Sequence, residues 1–432
     1  MLSNYLNPHQ HHFSAKNDID FLLNKVKLIL GKEPTEKLAE EEQKTIAHLP
    51  TGPNHGLPKN IQAALKSPEA DDWKNAATYK MNQFDNLDVW DAINPHPGIK
   101  VLGARWVFAI KHKPDESILK YCARYVAKGF NQTMGVDCNE VYTPTALLNT
   151  LCLLLSIAQE HAFATATFDV SLAYLYSPIE EQVYVQPPIE IRPEWNGKVM
   201  KLKKAMYGTR QAARCWWKFF KGKMEKLGYV ASEIEPSLYH CRNPYGFIVI
   251  WLHVDDGFAM ASSPAMLQSL RKAIEGELDI KWSTTVDWLV GINIKSHQDG
   301  SLELDQHLLV NQVVREYCRP CYPRRSTLPE EALEVNEGEA INTTEFRSVI
   351  GSLMYLAGGT RLDLTYSVNL WARYSNSLSE KHWDTLDILI GYIKHTSDLT
   401  LTFGRNGGKL HPGRTFDRPS PGLHGQVSSP EF

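Results

Sequence analysis

No stretch of this 432-residue sequence approaches about 18 uncharged apolar residues, which argues against a membrane-spanning helix. The opening MLSNYLNPHQHHF lacks the basic and apolar regions of a secretory signal. Cysteine is sparse: seven residues, an odd number at scattered spacings, fit reduced thiols in an intracellular protein, cytoplasmic or nuclear and not secreted. The closest pair, Cys318 and Cys321, has no second pair at matching spacing to complete a four-ligand zinc site, so it reads as structural thiols. Charge of one sign is lacking too, since 46 basic against 49 acidic residues leave −3. That excludes a uniformly basic nucleic-acid coat but allows a local basic groove. No internal repeat is found at periods of roughly 20–50 residues.

What remains is a globular composition, 43% hydrophobic and 22% charged. Residues 1–66 hold a mixed charge run (GKEPTEKLAEEEQK) and then a Pro/Gly stretch, which reads as an extension with a short helix and a linker. From Asp72 the chain turns aromatic and aliphatic, and residues 67–322 form the main body. A hydrophilic joint near 323 leads into a helical segment ending near 403. The tail 404–432, with six Gly and four Pro and no apolar period, reads as disordered.

Two apolar runs stand out as buried strands. Ala162–Val170 carries Asp169 near its end, and Phe247–Val254 stops at Asp255, Asp256 and Gly257. A carboxylate beside a core is costly unless paired or metal-bound. Neighbouring side chains on a strand point to opposite faces, so Asp255 and Asp256 need a tight turn to act together, and Gly257 is the residue suited to it. Converging acids without a basic partner would attract a hard divalent cation, and two such ions serve phosphoryl transfer. The alternative is that Asp-Asp-Gly is simply a hairpin turn.

Helical stripes surround these runs: Trp216, Phe220, Met224 and Leu227, then Met266, Leu270, Ile274 and Leu278. Charge is segregated. Residues 100–130 carry seven cations against Asp115 and Glu116, and residues 198–228 carry ten against Glu225. These segments suit a phosphate backbone. A solvated helix face is the plainer reading, and Trp216, Trp217, Phe219 and Phe220 read as core rather than as base-stacking platforms.

The ordered blocks KYCARYVAKGFNQ (120–132), VYTPTA (141–146), FDVSLAYLYSPIEEQVYVQPP (168–188), AMYGTRQAARCWW (205–217), LHVDDGF (252–258) and YLAGGTRLDLTYSVNLWARY (355–374) resemble copia-type LTR-retrotransposon reverse transcriptases over about residues 72–403. The resemblance implies an α+β right-hand polymerase with fingers, palm and thumb, followed by a connection-like helical segment. It makes Asp169, Asp255 and Asp256 the catalytic carboxylates. Asp169 and Asp255, with the Val170 carbonyl, would hold Mg²⁺ or Mn²⁺. Arg124, Tyr174 and Gln211 would bind the nucleotide, Tyr174 lying under the sugar to exclude a 2′-hydroxyl.

Departures from the family pattern cluster in the same blocks. Cys122 stands where the family has a phosphate-pairing Lys, and His253 replaces the Tyr of the YVDD box. Cys152, Ala213 and Leu362 replace Arg, Pro and Pro, and no RNase H acid series follows residue 403. The expected reaction is template-directed DNA synthesis, with an RNA or DNA template, a primer and dNTPs as partners, other element-encoded proteins as further ones, and no membrane. The other reading is a catalytically decayed transposon relic that only binds nucleic acid.

Overall fold

The computed structural model describes residues 57–112, 117–318, 326–327, 343–375, 380–404 and 411–412. The helix expected in the charged N-terminal run lies outside these residues, as does most of the tail expected to be disordered. The chain forms two compact units, residues 1–151 with 163–286, and residues 152–162 with 287–432. The division falls at 286 rather than near 322.

In the first unit, the Asn60 side chain caps a one-turn helix α1 (Ile61–Ala64) by accepting the Ala63 amide at 2.8 Å. Helix α2 (Ala70–Asn86) buries Trp73, Ala77, Met81 and Phe84, a stripe at helical spacing. Strands β1 (Trp90–Ile93), β2 (Val101–Leu102), β3 (Ala104–His112) and β4 (Ile118–Ala127) follow. β3 and β4 form an antiparallel ribbon. Along β4, Ala123, Tyr125 and Ala127 are buried while Lys120 and Arg124 are exposed and Cys122 is half-buried, the two-residue period of a half-buried strand. Trp73 fixes α2 on this ribbon, its ring edge-on to Phe108 (5.1 Å) and Tyr121 (4.6 Å).

Helix α3 (Leu148–His161) spans the division between the units. The first unit continues with β5 (Ala164–Val170), a short helix α4 (Ala173–Tyr176), β6 (Tyr184–Val185), β7 (Val199–Leu202), α5 (Ala212–Lys226), β8 (Val230–Ala231), β9 (Leu238–Asn243), β10 (Gly246–His253), β11 (Asp256–Ala261), α6 (Pro264–Glu275) and β12 (Ile280–Ser283). A small sheet runs β1-β7-β6-β2, and a six-stranded antiparallel sheet runs β12-β5-β11-β10-β9-β8. Both expected strands are present, and they are the two neighbours of β11. Alternation along β5 is strict: Ala166, Phe168 and Val170 are buried, the residues between them less so. The buried face packs with Trp216, Phe220 and Met224 of α5 and with Met266, Leu270 and Ile274 of α6. The sequence stripes named these side chains. Leu227 and Leu278 fall just past the helix ends, Leu227 exposed and Leu278 buried.

The second unit has strands β13 (Trp288–Leu289), β14 (Ile292–Ser296) and β15 (Leu302–Asp305), then helices α7 (His307–Tyr317), α8 (Thr343–Gly359), α9 (Thr365–Ala372) and α10 (Glu380–His395), then β16 (Leu401–Phe403) and β17 (His411–Pro412). Its sheet order is β13-β14-β15-β16-β17, with Leu302 opposite Phe403. This pairing explains the shifted boundary, because strands before the joint share a sheet with strands after the helices. His411 and Pro412, assigned from composition to the tail, pair in that sheet.

The core of this unit holds a charge. Arg361, 2% exposed, gives both Nε and a terminal nitrogen to Asp363 (3.0 and 2.8 Å) and reaches Thr396 O and Oγ1 (3.1 and 2.7 Å). The thiol reading of Cys318 is corrected: it is disulfide-bonded. Among the described residues no helix is long and apolar enough to cross a membrane.

Candidate active site

The acids lie on the face of the six-stranded sheet opposite α5 and α6. In the β5–β11 register Asp169 is directly opposite Asp256, and in the β5–β12 register it is directly opposite Lys281. Cross-strand partners share a face, so Lys281, Asp169 and Asp256 form one row. The next row, Trp282, Phe168 and Gly257, faces the core. Phe168 stacks on Trp282 at 5.8 Å and 6°. A Cβ on Gly257 would stand 2.1 Å from the Phe168 ring, so only glycine fits there.

This corrects the expected source of the turn. Gly257 lies within β11, and the hairpin reverses at Val254 and Asp255 between the paired His253 and Asp256. Val254 adopts the left-handed conformation at φ 56°, which is costly for a β-branched side chain. Two contacts hold the turn. Trp216 Nε1 donates to the Val254 carbonyl at 2.6 Å, and the Val170 amide donates to the Asp255 carbonyl at 2.8 Å. Asp-Asp-Gly is thus part of a hairpin, with Asp255 in its turn and Asp256 at the start of β11. Preceding the turn, His253 stacks on Trp251 at 5.7 Å, and burial holds its imidazole below the usual histidine range.

The expectation that the acids have no basic partner is also corrected. Lys281 Nζ donates to Asp169 Oδ2 at 2.7 Å. Its signal in the sequence was the alternation DIKWS after a helix, too short to stand alone. Among the described residues no group of three or more His, Cys, Asp or Glu side chains is drawn together enough to hold a metal ion. The electrostatics nonetheless suit one. Burial, then the charges of Asp255 and Asp169, push the Asp256 carboxyl up to about 7. Asp255 is raised by being walled in by protein and, secondarily, by Asp169, with Arg124 and Lys281 opposing. Hard oxygen donors whose charge lacks compensation are what a divalent ion takes.

These shifts fix a pH dependence. Asp256 titrates near 7 when folded and in the ordinary range, near 4, when unfolded, so the folded state holds the extra proton between those values. Stability therefore falls as pH rises through that window, and the whole penalty is present above about 7. Asp256→Asn is expected to raise Tm by a few degrees at about pH 8 without divalent ions and hardly at all at about pH 4. Differential scanning fluorimetry at both pH values checks this. An equal shift at both would mean that Asp256 is not strained by its charge.

The expected nucleotide residues divide. The Tyr174 ring is half-buried and edge-on to Tyr207 at 5.2 Å, and burial followed by the Asp255 charge raises its phenol to about 12. Arg124 projects from β4 and acts electrostatically on Asp255 and Tyr207. Gln211 is buried, and its amide is committed to protein: it accepts from Gln132 at 2.9 Å and donates to Asp137 O at 3.2 Å. The two basic segments meet beside it. Gly208, at φ 87°, presses so close to β4 that a Cβ would stand 2.2 Å from the Ala127 carbonyl, and Arg210 Nε donates to Gly129 O at 3.1 Å. Part of the cationic excess is internally spent, Lys203 on Asp88 and Asp91, Arg214 on Glu140 and Lys223 on Glu277.

The family model described as "Reverse transcriptase (RNA-dependent DNA polymerase)" matches residues 87–324. The chain belongs to this reverse transcriptase family. It is 28% identical over 356 residues to the "Retrovirus-related Pol polyprotein from transposon RE2" of Arabidopsis thaliana, covering 81% of this chain and 24% of that one. It is 26% identical over 361 residues to the corresponding polyprotein from transposon TNT 1-94 of Nicotiana tabacum, covering 80% and 27%. It thus spans about a quarter of the length of these relatives. Such relatives support the copia-type reading of the six sequence blocks and the origin of the domain in a retrotransposon. A solved structure, "Structure of the foamy viral protease-reverse transcriptase in complex with RNA/DNA hybrid", aligns with a TM-score of 0.39 and 10% identity over 74% of this chain and 37% of that chain.

Proposed function

We propose that this chain transfers deoxynucleotides onto a primer 3′-hydroxyl under the direction of an RNA or DNA template. The observation that carries the reading is the acid row, with Asp169 opposite Asp256 in register and Asp255 on the strained turn beside them. Asp169 and Asp255 would hold Mg²⁺ or Mn²⁺, with the Val170 carbonyl as a further oxygen donor. When bound, such ions stabilise charge on the attacking and leaving oxygens of a phosphoryl transfer. Tyr174 offers a ring beneath the sugar of the incoming dNTP, and Arg124 faces its phosphates. The Lys and Arg left unpaired around the 198–228 segment offer contacts to the template-primer backbone. Other element-encoded proteins would be further partners, in an intracellular setting.

Primer extension by the full chain, with dNTPs and with or without Mg²⁺, tests this. Metal-dependent addition of the templated nucleotide is the expected result. Template-primer binding that weakens with salt, but no extension, would instead fit a nucleic-acid-binding relic. That second reading is favoured by the Cys122 and His253 departures.

Lys281 bears on the metal. The Lys281 ammonium competes with a cation for the Asp169 carboxylate, and the pair is open to water (72% and 44% side-chain exposure). Such pairs are worth about 0–1 kcal/mol, so Lys281→Met is expected to tighten Mn²⁺ binding up to about fivefold. Electron paramagnetic resonance of free Mn²⁺ in a titration of the full chain reads this directly. Weaker binding in the variant would show that Lys281 helps rather than competes.

A further inference from the structure

On β4, Lys120, Cys122 and Arg124 share one face by strand alternation. The middle position is the one at which the family resemblance expects a phosphate-pairing lysine, and here it carries a thiol. Helix α2 brings another cation to the same place. Lys80 is half-buried beside the apolar stripe of α2, and its Nζ lies 6.0 Å from the centre of the Tyr207 ring. Tyr207 is the ring that meets Tyr174 edge-on, and its phenol lies within the field of Asp255, Asp169 and Arg124. Lys80 therefore stands at the Tyr207 edge of the acid site.

Its surroundings are unusual for a lysine. The charged and titratable groups that act on it are Arg124, Lys120 and the Cys122 thiol, with no carboxylate among them. Lys120 is drawn to the neighbouring Tyr79 ring, 5.8 Å from Nζ. Three cations repel one another here, Arg124 being offset in part by Asp255, and α2 holds Lys80 there although its stem is flexible enough to reach water elsewhere. A polyanion bound between them would relieve the repulsion.

We propose that Lys80 replaces the cation missing at position 122, so that Lys80 and Arg124 together receive the triphosphate of the incoming dNTP. This inference rests on the polymerase reading. It moves the phosphate contact from the β3–β4 ribbon to the helix packed on it. Burial, then the two neighbouring cations, hold the Lys80 ammonium down to about 8, the state expected of a cation awaiting an anion.

The test is equilibrium binding of dATP to the full chain on a template and a dideoxy-terminated primer, so that no chemistry follows. Lys80→Met should weaken dATP binding about 10- to 100-fold, the effect of one charge-assisted hydrogen bond to a phosphate. Deoxyadenosine, which has no phosphate, should bind both forms alike. Adding Cys122→Lys to Lys80→Met should recover most of the loss. In case Lys80→Met fails to fold, acetylation of the wild-type chain gives a second reading, in which dATP should protect Lys80 and deoxyadenosine should not. Equal dATP affinity in wild type and Lys80→Met, or no protection, overturns the inference. Extension by wild type together with unchanged dATP affinity in Lys80→Met would defeat Lys80 alone. Lys80-dependent dATP binding without extension would defeat the polymerase reading and keep the anion site.

Discussion

Asp255→Asn is expected to lower primer extension by about 10³-fold or more while leaving template-primer affinity nearly unchanged. The substitution keeps shape and removes one negative oxygen, so the turn at Val254 and its tie to Trp216 should persist. What it removes is charge at the point where a divalent ion would be held. Metal stabilisation of a phosphoryl-transfer transition state amounts to several kcal/mol, and each 1.36 kcal/mol is about tenfold in rate. Burial already raises the Asp255 carboxyl, so a neutral amide there should not destabilise the fold. Single-turnover extension at saturating dNTP, beside filter binding of the same template-primer, separates the two effects. Extension by the variant within about tenfold of wild type would remove Asp255 from the chemistry.

The second large effect is on stability. Arg361→Met should destabilise the second unit by about 3 kcal/mol, at the low end of what breaking a buried ion pair costs, because Asp363 keeps 30% exposure of its side chain. The guanidinium serves Asp363 and Thr396 at once, and Tyr392 also donates to Asp363 at 3.0 Å. Burial, then the Asp363 charge, raises the Tyr392 phenol to about 12, so the network stays protonated at neutral pH. Arg361→Lys should recover only part of the loss, since one ammonium cannot reproduce the planar fork. Urea unfolding followed by tryptophan fluorescence should register the change. A shift under about 1 kcal/mol would mean that water already reaches the pair.

Much of the site was legible because it obeys local rules. Runs ending in acids marked β5 and β10, and helical stripes marked α5 and α6. What escaped the sequence was non-local. Lys281 meets Asp169 across 112 positions, and Lys203 meets Asp88 and Asp91 across more than 100, so charge counts within a segment overstated the free cation. Gly257 is a turn former by type, yet the space beside Phe168, not a turn, is what requires it. Lys80 has no local signal in the sequence, because only the packing of α2 on β4 brings it to this place. The Gln211 amide ties Gln132 to Asp137, contacts across 79 and 74 positions that no local pattern signals.

The sheet of the second unit sets an order of events during synthesis. Strand β15 finds its β16 partner only after about a hundred further residues have been made, because Leu302 pairs with Phe403. Until then β15 has one open edge, a template for pairing with any other extended chain. β5, β10 and β11 of the first unit all precede residue 262, so they can pair with one another before Phe403 has been made. The acid row can therefore be assembled on the ribosome while the second unit is still unpaired. The exposed edge, rather than the six-stranded sheet, is then where aggregation during expression should begin, and where a chaperone would bind.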